Sequence, residues 1–310
     1  MPTINIKVMP TITAFEKEIA MQLEFLKRFA PQRQLSHIKQ RKAIFCGTGD
    51  SFVSVLLAEV FSNFQAKAHD PLDLTKNTKL VAGHDLYIVS ISGNTSSNIR
   101  LARHARQTTA ITANPQSNLA KACDRTIPLK FKNTGIVTSG SISFLAGALT
   151  CISLVSRYKI RNPSRLYSKA QRIAKRINLQ GNVHVLGNLH TYPVAMFCAA
   201  KLYEVLGTNA HYERIEQFSH MGLFSCHTGD TIIIFEEENL HNQKLIKHLK
   251  DCSLETIRIS PPSKNLLEKV LFLIFVSELI ALYSAKRKKM KECYFVKAKK
   301  LRNASSAMIY

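Results

Sequence analysis

Short apolar runs ending in glycine or hydroxyl residues recur along this chain, each followed by a stretch of helical periodicity. Ala43–Cys46 runs into Gly47-Thr48-Gly49-Asp50-Ser51, and Phe52 to Phe64 then carries apolar residues at helical spacing. Leu86–Val89 runs into Ser90-Ile91-Ser92-Gly93-Asn94-Thr95, with Ile99, Leu101, Ala102 and Ala105 marking a helix beyond. Further strands are expected at Thr109–Thr112 and Arg125–Leu129, and Ser141–Val155 reads as a buried helix. Strand–turn–helix units this close in sequence predict neighbouring strands of a parallel sheet with their turns at its carboxyl edge.

The plan then repeats. Val183–Leu186 is strand-like, Gly187-Asn188-Leu189-His190 is a turn, and Tyr192 to Leu206 is a helix. Gly47 and Gly187 occupy corresponding places, an offset of 187 − 47 = 140 residues. Thr231–Phe235 corresponds to the strand before Ser90, but Glu236-Glu237-Glu238 follows it where the first half has hydroxyl groups. The predicted organisation is an N-terminal helical segment (1–40, its helix from about Ala14 to Phe29) and a first unit (41–160). A connecting helix opened by Asn162-Pro163-Ser164 (161–180), a second unit (181–285) and a basic tail (286–310) complete it. The fold class is α/β, with two tandem units that each hold a parallel sheet flanked by helices.

Ser90–Thr95 has the makings of an anion site. Unpaired backbone N–H groups of a first helical turn point outward, and the helix dipole favours negative charge there. Ser90, Ser92 and Thr95 add hydroxyl donors, and Gly93 allows close approach. Neither turn supplies the third glycine of a dinucleotide fingerprint, and no G-x-x-x-x-G-K-[ST] stretch occurs. Three carboxylates in the corresponding loop of the second half repel phosphate, so the two halves are expected to divide the work.

Composition narrows the classes. A hydrophobic share of 45% over 310 residues excludes disorder and permits a substantial core. Met1-Pro2-Thr3-Ile4-Asn5 shows no signal-peptide pattern, and Val270–Tyr283 and Ser141–Ser156 fall short of a membrane span, so a cytoplasmic protein away from membranes is expected. Seven cysteines without a C-x-x-C pair fit a reducing compartment, and His220, Cys226 and His227 lack a second ligand pair, so no metal and no other cofactor is expected. The net charge of +22 draws anions. The tail from Lys286-Arg287-Lys288-Lys289 to Arg302 has few aromatics and no nucleic-acid module is evident. This charge reads as a solvated face, and a nucleic-acid partner is not expected.

Two further features gain meaning together. Lys201 and Glu204 lie three apart on one helix face, and His220 follows 16 residues after Glu204, in the turn-like Ser219-His220-Met221-Gly222. The stretch from Leu186-Gly187 through Tyr192-Pro193-Val194-Ala195 to Lys201-Leu202-Tyr203-Glu204 resembles the paired sugar isomerase (SIS) domains of glucosamine–fructose-6-phosphate aminotransferase. Cys46-Gly47-Thr48, Ser90–Thr95, Val137-Thr138-Ser139 and Arg302-Asn303 match its other motifs, so the resemblance covers about residues 40 to 310. It implies that Ser90, Ser92, Gly93, Asn94 and Thr95, with Gly47, Thr48, Thr138 and Ser139, hold a sugar 6-phosphate. It further implies that Glu204 moves a proton between C1 and C2, beside Lys201. His220 would open the sugar ring, reaching in from the partner subunit of a homodimer.

The departures matter as much. The family's glutaminase domain is not in this sequence, and alignment on Arg302-Asn303 puts Ser306 where the family has its Schiff-base lysine. Ile91 and Asn94 replace the usual Gln and Glu of the phosphate loop. The archaeal phosphoglucose/phosphomannose isomerases, also paired SIS proteins, have an arginine that Val137–Ser141 lacks. The resemblance therefore implies a phosphosugar isomerase interconverting aldose and ketose forms of a hexose or amino-hexose 6-phosphate. A glucosamine-6-phosphate deaminase and a non-catalytic sugar-phosphate regulator are the alternatives.

Overall fold

The computed structural model describes residues 9–105 and 107–309. The chain enters through helix α1 (Thr11–Arg28) and α2 (His37–Lys42), the latter capped by Ser36, whose hydroxyl accepts from the Lys39 N–H. The first unit follows in the order β1 (Ala43–Gly47), α3 (Asp50–Phe61), β2 (Lys67–His69), α4 (Pro71–Lys76) and β3 (Asp85–Val89). It continues through α5 (Ser96–His104), β4 (Thr108–Thr112), α6 (Asn118–Ala122), β5 (Arg125–Pro128) and α7 (Ile142–Val155). All its pairings are parallel, in the strand order β2-β1-β3-β4-β5.

Asn162 caps α8 (Pro163–Ala174), and the proline at its first position has no N–H to leave unpaired. The second unit comprises β6 (Val183–Leu186), α9 (Thr191–Leu206), β7 (Ala210–Glu213), α10 (Ile215–His220), β8 (Thr231–Ile234), α11 (Leu240–Asp251) and β9 (Glu255–Arg258). Its parallel sheet has the order β7-β6-β8-β9, which repeats the first four strands of the other sheet. The long helix α12 (Leu266–Arg287) follows, then α13 (Tyr294–Lys297) and α14 (Lys299–Ile309). The expected α/β architecture of two parallel sheets flanked by helices is therefore the one observed.

The 140-residue offset has a steric basis. A Cβ on Gly47 would stand 3.0 Å from the Ser51 backbone, and one on Gly187 would stand 2.7 Å from the Thr191 backbone. In each unit the chain doubles back on itself four residues after the glycine, as it turns from strand into helix.

The two units share one core. Helix α12 is buried along most of its length between α8 and α9, and Phe144 of α7 stacks on Phe197 of α9 with ring centroids 3.9 Å apart. Among the described residues no helix is long and apolar enough to cross a membrane.

Strands β2, β7 and β9 were not expected from the sequence. Each lies at a sheet edge and is only partly buried, so it lacks the apolar run that marks a central strand. The tail also departs from a purely solvated segment. Cys293 is buried, Glu292 accepts from the Thr11 hydroxyl at 2.6 Å, and residues 299–309 form a helix.

Candidate functional site

The register places Gly47 opposite Val89, so the turns after β1 and β3 leave one edge of the sheet side by side. The second turn is the expected anion loop. Gly93 has φ +67°, and a Cβ there would collide with the Ser117 side chain, so the position admits only glycine. The Ser90 hydroxyl accepts from the Gly93 N–H at 3.2 Å, and Ser92 accepts from the Asn94 N–H at 3.3 Å. Thr95, the residue before α5, makes no side-chain capping bond, and the first turn of α5 carries no acidic residue. Its positive end is therefore free of built-in negative charge. Ser90 and Thr95 are buried at the base of the loop, while Ser92 and Asn94 are exposed at its rim. The fully buried Asn98, one turn into α5, has neither side-chain polar atom partnered.

Beside this loop the second unit reaches into the first. Lys201, on the last turns of α9, is fully buried, and its Nζ donates to Asp50 Oδ2 at 2.9 Å and to Glu204 Oε2 at 2.7 Å. A third bond runs from Nζ to the Gly140 carbonyl at 3.0 Å, so all three ammonium protons are used. Ser139 Oγ donates to the same Glu204 oxygen at 2.6 Å. A Cβ on Gly140 would strike the Asp50 carboxylate, so glycine there lets the two groups meet on one lysine. Glu204 keeps 34% of its side chain exposed, and both of its hydrogen bonds fall on Oε2.

Electrostatics fix the roles these groups can take. Burial alone would lower the Lys201 pKa, but Asp50 and Glu204 outweigh it and hold the ammonium above the ordinary lysine range. Lys201 therefore acts as a fixed positive charge. Burial pushes the Asp50 carboxyl up to about 6, against the opposing pull of Lys201, and Asp50 Oδ1 is buried without a partner. Sequence reasoning placed Asp50 only within a turn. An acid at the first position of a helix ordinarily serves the helix dipole, so nothing marked it as a partner for a lysine 151 residues away.

The other expected residues are placed less uniformly. Thr48 is half-buried in the turn after β1. The Thr138 hydroxyl donates to the Thr11 carbonyl at 2.9 Å and so ties this segment to α1, with no hydrogen bond to the anion loop among the described residues. His220 is the last residue of α10 rather than part of a turn. It lies exposed beside Glu216, 3.2 Å away, and makes no contact with Glu204 of its own chain. Ser306 sits exposed on α14. That helix ends against the anion loop, where the Ser96 hydroxyl donates to the Ile309 carbonyl at 3.0 Å.

The three carboxylates of the second unit are tied up individually. Glu236 accepts from the Asn188 amide at 3.4 Å, Glu237 pairs with Lys269 at 2.6 Å, and Glu238 pairs with Arg258 at 3.0 Å. That loop is closed by its own salt bridges. A cavity of about 710 Å³ opens between α1, α7 and the end of β5, but Met21, Phe25, Leu129, Phe131 and its other lining residues lie outside the Lys201 cluster.

Comparison with solved structures finds the same architecture elsewhere. The C-terminal domain of glucosamine-fructose-6-phosphate aminotransferase from Francisella tularensis matches with a TM-score of 0.68 at 15% identity, over 92% of this chain and 98% of that one. The chain shares this fold. Glucosamine-6-phosphate deaminase from Thermotoga maritima matches as well, with a TM-score of 0.66, 15% identity and coverage of 91% of this chain and 95% of that one. Tagatose-6-phosphate ketose/aldose isomerase from Escherichia coli also matches, with a TM-score of 0.65, 16% identity and 90% of each chain covered. No protein-family model and no curated protein sequence matches the chain.

Proposed function

We propose that this protein is a phosphosugar isomerase that interconverts aldose and ketose forms of a hexose or amino-hexose 6-phosphate. The observation that carries the reading is the meeting of Ser139 and Asp50 from the first unit with Lys201 and Glu204 from the second, beside an uncapped helix N-terminus. The Ser90–Thr95 loop grips the phosphate through backbone N–H groups and hydroxyls. In the ring-opened sugar Glu204 takes the proton from C2 of the aldose as O1 gains one, which gives an enediol. It returns the proton to C1 as the O2 hydroxyl gives up its own, so aldose and ketose interconvert with no net change in composition. Lys201 and Ser139 hold one carboxylate oxygen and leave the other to face the sugar. His220 of the partner subunit assists ring opening, and its exposure on α10 suits a residue that works across a subunit boundary. The serine at position 306 favours a route without an imine.

The test is to incubate the protein with fructose, glucose, mannose and glucosamine 6-phosphates and follow interconversion by NMR. Turnover of at least one pair, abolished in Glu204→Gln while phosphosugar binding stays within a few-fold, is the expected result. Ammonia release would assign the deaminase reaction instead. Binding of these sugars without any conversion would leave a regulator.

A further inference from the structure

No Asp or Glu occurs between Asp124 and Glu204, and within that interval eight cations crowd positions 157 to 176. The fold turns this run into a surface. Helix α8 buries Leu166, Ala170 and Ala174 against the core, at i, i+4 and i+8. Arg165, Lys169 and Arg172 follow i, i+4 and i+7 along another side of the helix, a row about 10 Å long at helical rise, and Arg176 continues it in the turn just past the helix end. Arg157, Lys159 and Arg161 extend the row before the helix, exposed. Lys175 adds a charge at its far end, over the Tyr283 ring at 5.5 Å. Arg287 lies alongside and donates to the Ile177 carbonyl.

Among the described residues none of these eight cations forms an ion pair, whereas Lys286, Lys269 and Arg258 elsewhere each hold a carboxylate. Two of the nearby acids are otherwise engaged: Glu16 pairs with Lys286, and Glu268 accepts from the Arg161 backbone and Ser263. Glu255 shares a hollow with Arg176 at the far end of the row without forming an ion pair with it. A purely solvating face normally mixes both signs of charge. This one does not.

We propose that the outer face of α8, with its flanking residues 157–161 and 175–176, binds the phosphodiester backbone of a nucleic acid without regard to sequence. Five of the eight cations are arginines, whose planar fork grips phosphate oxygens in pairs. The apolar side of α8 is already buried on α12, and Tyr158 alone among the large apolar side chains of residues 157–176 is exposed, which falls short of the apolar face a membrane-surface helix inserts. It is also separate from the Ser90–Thr95 loop, so it does not rest on the sugar-phosphate reading.

The test uses the full chain. Fluorescence anisotropy with a labelled 20-nucleotide single strand and a 20-base-pair duplex is measured between 50 and 200 mM NaCl. Contact with about four phosphates predicts a fall in duplex affinity of about 100-fold over that range, and somewhat less for the single strand. Arg165→Glu/Arg172→Glu/Arg176→Glu should weaken binding at least 10-fold at 50 mM and flatten the salt dependence. Lys244→Glu/Lys247→Glu/Lys250→Glu on α11 changes the net charge equally and should leave binding within about 2-fold. Equal losses in the two triple variants would reduce the effect to net charge and overturn the proposal, as would unchanged binding in the α8 variant. Recruitment to phosphatidylserine vesicles that depends on α8, without nucleic-acid binding, would assign the face to a membrane surface instead. Circular dichroism of both variants confirms that the fold is retained.

Discussion

Lys201 reaches from the second unit to Asp50 of the first, a contact of 2.9 Å between residues 151 apart in sequence. The same ammonium holds Glu204 at 2.7 Å, so one buried charge fixes two carboxylates, one at the start of α3 and one at the end of α9. Lys201→Met would leave both acids without their counter-charge. The expected cost is about 3–5 kcal/mol of stability, read as a shift in the urea midpoint. Adding Asp50→Asn should recover part of it, because one of the two stranded charges is then gone. A loss of under about 1 kcal/mol would show that the network contributes little to the fold.

The anion loop makes a separate prediction. Ser92→Ala combined with Thr95→Ala should weaken 6-phosphate ligands by roughly 1–3 kcal/mol, through lost hydrogen bonds to a charged group. Isothermal titration calorimetry reads this directly, and unsugared inorganic phosphate should weaken in parallel. Equal affinity in the double variant would place the anchor elsewhere.

His220 tests the shared site. Inactive Glu204→Gln and His220→Ala proteins, mixed under conditions that exchange subunits, should regain a fraction of wild-type turnover. Mixed dimers would hold one site with both groups intact. No recovery, with exchange verified by native mass spectrometry, would confine catalysis to a single chain.

A fourth prediction concerns pH and the joint between α1 and α12. Burial raises the Glu278 carboxyl to about 8, although the Gln22 amide donates to it at 2.7 Å. Gln22 Oε1 and Glu278 Oε2 are both buried without partners. The folded chain therefore keeps a proton that the unfolded chain has released across the window from about 4.5 to about 8. Stability falls as pH rises through that window, on the order of a few kcal/mol, and the loss is complete above the folded value. Glu278→Gln supplies a permanent N–H donor for Gln22, so it should flatten this dependence and be the more stable protein at pH 8.5. Urea midpoints of both proteins at pH 5, 7 and 8.5 provide the check, and parallel profiles would remove Glu278 as the source.

The pattern of apolar runs was enough to find β1, β3, β4, β6 and β8. Each is central in its sheet and buried along most of its length, so apolar and β-branched residues fill it, the three threonines of β4 among them. The glycines at 47 and 187 were legible for a similar reason, since the strand-to-helix turn forbids a side chain there. The edge strand β5 was expected at Arg125–Leu129 and is found at Arg125–Pro128, whereas the short, partly exposed edge strands β2, β7 and β9 carry too little apolar sequence to be marked. The sequence also displayed the pair Lys201 and Glu204 and the hydroxyl-rich loop, both of which depend on residues a few positions apart.

The partners of those residues were decided by packing alone. Asp50 joins Lys201, Ser139 turns to Glu204 and Thr138 turns to Thr11 only because α9, α3 and the segment before α7 converge across the two units. The cations of α8 likewise become one unpaired row only once Leu166, Ala170 and Ala174 commit the other side of the helix to the core. Local periodicity is written in the chain because each element must bury one face. Contacts between distant elements depend on how those faces meet, and that information appears only when the core closes.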